Sequence, residues 1–180
     1  YYDTPETASM YPRNLRPRFR EEGVIPGLAI CASDATELLR CETSRVRLML
    51  RQGETTRLSR NVLAVVPGAE RPDESIVLTA HYDSVPLGTG SWDNATGAAA
   101  LCAIYRYFVS HPARRTLRFV WCGSEEQGLL GSKAYIAQQE ALIDQIKFCF
   151  NFDMCGTILG PNHIVVTGGD DLKHFIEQFC

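Results

Sequence analysis

Six residues between positions 81 and 153 have the types and spacing to bind a metal and move a proton: His81, Asp83, Asp93, Glu125, Glu126 and Asp153. They stand in four short texts, HYD at 81–83, WDN at 92–94, SEEQG at 124–128 and NFDMCG at 151–156. One imidazole with several carboxylates is a donor set for zinc or a similar divalent ion. Two such ions about 3.5–4 Å apart, joined by a bridging carboxylate, acidify water and polarise a carbonyl. A glutamate within hydrogen-bond reach takes the proton and later delivers it to a leaving amine. That chemistry is peptide hydrolysis.

Each text also has a plainer reading. His81 and Asp83 alone fit a surface pair. Asp93 alone fits a helix N-cap, a position that favours Asp. Glu125 and Glu126 fit solvated charge on a helix, and Asp153 with Gly156 fits a turn. The coincidence of the four favours the site. HYD, EE and Asp153 each follow an apolar, strand-like run, and open α/β sheets bind ligands outside the carboxyl ends of their strands. In extended chain, residues i and i+2 share a side, so Asp83 can serve the site of His81. A metal-binding His commonly gives its other ring N–H to such a group.

The elements that must position these residues are legible from about residue 56. Strands are expected at 61–66, 76–80, 116–122, 147–152 and 163–167, and helices at 94–109, 131–143 and 170–179. Apolar strands alternating with helices predict an α/β fold, a mostly parallel sheet with helices on both faces. The small-residue run ATGAAA at 95–100 would let its helix approach the sheet closely. Further upstream, PGLAIC at 26–31 reads as a buried strand and ASDATELLR at 32–40 as a helix, with Ser33 or Asp34 as its cap and Glu37 completing a capping box. VRLML at 46–50 reads as a strand followed by a Gly-containing turn.

The chain has 180 residues and a net charge of −3, with 45% hydrophobic and 22% charged residues. These are ordinary globular values, and they point to neither nucleic acid nor an anionic membrane as partner. No apolar run approaches the roughly 20 residues that span a bilayer. The seven cysteines form no CxxC pair. Cys102, Cys122 and Cys149 sit in apolar text and read as reduced core thiols, which leans towards a reducing, cytoplasmic compartment. Disulfides joining Cys31 to Cys41 or Cys149 to Cys155 are the alternative.

At these residues the chain resembles metallopeptidase family 28, the co-catalytic zinc aminopeptidases. The matching text is VLTAHYDSV, GSWDNATGAAALC, RFVWCGSEEQGLLGSKAYI and FNFDMCG, in order over roughly 60–156. The resemblance implies two zinc ions. It implies that His81 and Asp153 bind one ion, Glu126 binds the other and Asp93 bridges both. It further implies Glu125 as general base, Asp83 as the group that orients His81, and a cis peptide between Asp93 and Asn94. The substrate implied is the free N-terminus of a peptide or protein.

The family's fifth ligand is a histidine well downstream of the strand-end Asp. His163 and His174 follow Asp153 too closely to match it, and His111 reads as an exposed helix-end residue. The fifth ligand is therefore expected beyond residue 180, and the isolated chain is expected to be inactive. GVIPGLAICASDATELLR with VRLML resembles the end of a protease-associated domain. The expected division is 1–52 as the remnant of that insert and 53–180 as the N-terminal part of the catalytic domain, with both ends cut from something longer. Relatives with such inserts are often secreted or membrane-associated, against the lean of the cysteines. Two alternatives share the scaffold: a one-zinc glutaminyl cyclase-like transferase, and a non-catalytic receptor or interaction domain. DNATG and SEEQGLLGS favour the peptidases, and the filled ligand positions disfavour a decayed site.

Overall fold

A computed structural model describes residues 32–41, 45, 47, 55–85, 88–156 and 163–178. The chain forms two compact units, Tyr1–Thr56 and Arg57–Cys180. In the first, helix α1 spans Ala32–Arg40. It begins earlier than the expected caps, so Ser33 and Asp34 lie inside it, with Asp34 in the first turn. The capping position, the strand at 26–31 and nearly all of 46–54 lie outside the described residues.

The second unit contains β1 (Val62–Val66), β2 (Arg71–His81), α2 (Ala95–Ser110), β3 (Arg115–Cys122), α3 (Leu130–Gln138), a short 3-10 helix (Glu140–Gln145), β4 (Ile146–Asn151) and α4 (Asp170–Glu177). The sheet order is β1-β3-β2-β4. β2 runs parallel to both β3 and β4, whereas β1 pairs with β3 antiparallel. Alternation along the strands sends side chains to two faces. On one face Leu78, Ala80, Leu117 and Phe119 meet Leu101 of α2. On the other, Val77, Val120 and Cys122 meet Tyr135 of α3. The expected layering, a helix on each side of a mostly parallel sheet, is present.

Several local expectations change; the helix expected at 131–143 ends at Gln138, and Glu140–Gln145 forms a separate 3-10 helix. β2 starts at Arg71, five positions before the apolar run, because its polar first half pairs with the start of β3 across a register shift. Thr116 Oγ1 donates to the Pro72 carbonyl at 2.8 Å, and Arg115 pairs with Glu74 there. The Arg115 hydrogen bond holds the Glu74 carboxyl below its ordinary pKa. The apolar text at 163–167 forms no strand, and Val165 is 90% exposed. An apolar run becomes a strand only where a neighbour takes up its backbone groups. The thiols also differ from expectation: Cys122 is buried, but Cys102 and Cys149 are exposed. Cys41, Cys149 and Cys155 are free, so neither alternative disulfide forms.

Candidate metal centre

The three parallel strands end at one edge of the sheet, and the site is built there. His81 is the last residue of β2 and lies directly beside Cys122, the last residue of β3. Glu125 and Glu126 occupy the turn after β3, and Asp153 follows the end of β4. Asp93 arrives from the β2–α2 connection, immediately before α2.

These placements bring the carboxylates around one imidazole. His81 is 3% exposed. Its Nε2 lies 3.0 Å from Asp93 Oδ1, 3.4 Å from Asp153 Oδ1 and 3.9 Å from Glu125 Oε2. Donor atoms of His81, Asp93 and Asp153 all fall within 4.8 Å of one another. Burial disfavours the charged form of His81. The carboxylates of Asp153, Glu125 and Asp93 and the Asp83 carbonyl outweigh it, and the net shift is upward.

Asp83 does two things. Its backbone carbonyl meets His81 Nδ1 at 3.1 Å, which directs Nε2 at the carboxylates. Its side chain is 3.6 Å from the same nitrogen, but its hydrogen bonds go elsewhere. Oδ1 accepts the Glu125 N–H at 2.9 Å and Oδ2 accepts the Glu126 N–H at 3.2 Å. The carboxylate thus grips the turn that carries both glutamates, while the main chain of the same residue orients the histidine.

The donor set fits a divalent cation. Glu126 Oε1 is buried without a hydrogen-bond partner. Buried polar atoms are almost always paired, so an orphaned carboxylate oxygen inside an acidic cluster calls for a cation. Burial, with the charges of Asp93, Glu125 and Asp83, pushes the Glu126 carboxyl up from its ordinary pKa, against the opposing pull of His81. No Lys or Arg forms an ion pair with these carboxylates among the described residues.

What holds these groups at their spacing has no signature in the sequence around each ligand. The cap of α2 is Asn94, not Asp93, which leaves the Asp93 carboxylate free to face His81. Asn61 Nδ2 donates to the Gly131 carbonyl at 2.8 Å and its Oδ1 accepts the Gly123 N–H at 3.1 Å, tying the exit of β3 to the start of α3. Ser124 and Met154, which flank Glu125 and Asp153, hold φ values of 57° and 48°. Non-glycine residues there carry strain that cohesive surroundings must sustain. The peptide between Asp93 and Asn94 is cis, as the resemblance implied.

His163 is exposed, His174 lies on α4, and neither belongs to the cluster. His111 caps the end of α2, exposed as expected, with Nδ1 3.0 Å from the Tyr107 carbonyl. A cavity of about 330 Å³ adjoins the site, lined by His81, Glu125 and Asp153 together with apolar residues such as Val77, Tyr135 and Ile146. No helix among the described residues is long and apolar enough to cross a membrane.

The profile of the family described as Peptidase family M28 matches residues 61–179. Aminopeptidase YwaD of Bacillus subtilis (strain 168) is 32% identical over 135 residues, 74% of this chain and 29% of its own length. The vacuolar membrane protease of Saccharomyces cerevisiae (strain ATCC 204508 / S288c) is 40% identical over 77 residues, 43% of this chain and 8% of its own. The structure of BSAP, a zinc aminopeptidase from Bacillus subtilis, superposes with a TM-score of 0.60 at 28% identity, covering 77% of this chain and 34% of that one. An aminopeptidase from Aneurinibacillus sp. strain AM-1 gives 0.58 at 26% identity over 77% and 36%. The chain therefore spans about a third of the length of the aminopeptidases it matches.

Proposed function

Because the chain belongs to peptidase family M28, we propose that the whole protein is a zinc-dependent aminopeptidase that cleaves the first peptide bond of peptides or proteins with a free N-terminus. The observation that carries this reading is the convergence of His81, Asp93 and Asp153 beside the orphaned oxygen of Glu126. The named activities of the Bacillus relatives support it.

Two zinc ions are proposed. His81 and Asp153 would hold one, Glu126 the other, and Asp93 would be shared. A fifth ligand, a histidine, is proposed from sequence following residue 180. When bound, zinc supplies a Lewis acid that acidifies water and polarises a carbonyl. The chain's own residues do the rest. The Glu125 carboxylate faces the same space as His81 Nε2, so it can receive a proton from the attacking water and return it to the leaving amine. Asp83 keeps that carboxylate in place through the Glu125 and Glu126 amides. Residues 1–52 are proposed, on their motif, to close a protease-associated insert.

The test is the whole protein, purified with zinc, on aminoacyl chromogenic substrates. Glu125→Gln should lower kcat by about 100-fold or more with zinc content unchanged. Loss of zinc in that variant, or unaltered turnover, would sink the assignment of Glu125 as the base.

A further inference from the structure

The side chain of Asn94 makes three hydrogen bonds, and they run to two separate parts of the fold. Oδ1 accepts the Gly97 N–H at 3.0 Å, which caps α2. The same oxygen accepts the Met154 N–H at 3.2 Å. Nδ2 donates to the Phe152 carbonyl at 2.9 Å. Phe152 and Met154 are the two neighbours of Asp153, and Asn94 itself follows Asp93. One side chain, 1% exposed, thus brackets Asp153 on both sides while its own backbone carries Asp93.

A plain helix cap needs only an acceptor for an orphan amide at the helix start. Here the carboxamide also satisfies the loop after β4, which a Ser or Thr cap is too short to do. Two further features enforce the approach. A Cβ on Gly97 would lie 2.3 Å from the Phe152 carbonyl oxygen and 2.5 Å from Asn94 Oδ1, so only glycine fits there. Trp92 Nε1 donates to the Met154 carbonyl at 3.1 Å, a second tie between the same two segments.

We propose that Asn94 is a positioning residue that sets the spacing between the Asp93 and Asp153 carboxylates, and through it the affinity of the site for zinc. The proposal rests on the zinc reading above. Asp93 and Asp153 approach His81 Nε2 from different segments, and the Asn94 side chain joins those segments directly. Groups that orient metal ligands typically change affinity by about 10–100-fold when removed.

The experiment compares zinc affinity, by competition with a chromogenic chelator, in the whole protein and its Asn94→Ser and Asn94→Asp variants. Serine keeps a cap for α2 but does not reach the β4 loop. Aspartate keeps both acceptor bonds and loses the donor to Phe152. The melting temperature of each metal-free protein is measured alongside. The expected result for Asn94→Ser is zinc affinity lowered about 10- to 100-fold, beside a modest fall in the metal-free melting temperature from the two lost hydrogen bonds. Asn94→Asp should fall between it and the parent. Equal zinc affinity in all three proteins overturns the proposal and leaves the zinc reading standing. So does a fall in metal-free melting temperature with affinity intact, which would make Asn94 a helix cap alone. A parent protein that binds no zinc overturns the zinc reading and this proposal together. Should Asn94→Ser fail to fold, Asn94→Asp decides by the same criteria.

Discussion

Removing the Asp83 carboxylate should loosen one turn and leave the sheet intact. In Asp83→Ala the Glu125 and Glu126 amides lose their acceptors, at 2.9 and 3.2 Å. A hydrogen bond to a charged partner contributes about 1.5–3 kcal/mol net. The Asp83 side chain is 23% exposed, so solvent screening places both bonds towards the low end of that range. Together they amount to about 3–4 kcal/mol of local stability. The turn keeps its internal bonds, with Gly128 and Leu129 N–H both reaching the Glu125 carbonyl at 2.8 Å. The loss should therefore appear as local opening. Amide hydrogen exchange of the metal-free protein reads it directly: at Glu125 and Glu126 it should quicken by roughly 150- to 900-fold, since each 1.36 kcal/mol is tenfold. Amides in the middle of β2 and β3 should keep their parent rates. Asp83→Asn, which retains one acceptor oxygen, should give an intermediate effect. Unchanged exchange at both glutamates in Asp83→Ala would refute the clamp.

Three further outcomes follow from the packing and charge. Gly97→Ala should destabilise the protein by about 1–3 kcal/mol in thermal unfolding despite alanine's better helix propensity, because the added methyl meets a backbone oxygen that cannot give way; an unchanged or raised melting temperature would show that α2 is less closely packed. Glu74 has its folded pKa lowered by Arg115, so its contribution to stability is present above the ordinary carboxylate value and is lost as pH falls through the folded value. Glu74→Gln should accordingly flatten the acid limb of a melting-temperature–pH profile, and a curve parallel to the parent's would contradict this. Buried Cys122 should resist alkylation of the native protein while exposed Cys102 reacts at once, as mapped by peptide mass spectrometry; equal labelling would place Cys122 at the surface.

Much of the candidate site was legible because an apolar strand that stops at a charged residue is a strong local signal. HYD after IVLTA, EE after RFVWC and Asp153 after KFCFNF all sit where the parallel strands end. What was not legible depends on partners distant in sequence. Asn94 reads as an ordinary helix start, and its bonds to the loop after β4 appear only once that loop is folded beside it. Asp83 was expected to serve His81 through its carboxylate. The pairing of His81 beside Cys122 instead brings the Glu125 and Glu126 amides within reach of that carboxylate, and the carbonyl serves the histidine. The β2 extension shows the same limit: RPDES has the composition of a turn, and only its pairing with Arg115 and Thr116 makes it strand. Conversely, the apolar text at 163–167 has the right composition and forms no strand.

We propose that the carboxyl edge of this sheet holds zinc. Crystals of the whole protein loaded with zinc, measured on either side of the zinc absorption edge, test it most directly. An anomalous peak is expected about 2.0–2.1 Å from His81 Nε2, with carboxylate oxygens of Asp93 and Asp153 also bound and a second peak at Glu126. Zinc found only at cysteines or surface histidines, with no peak beside His81, would contradict it.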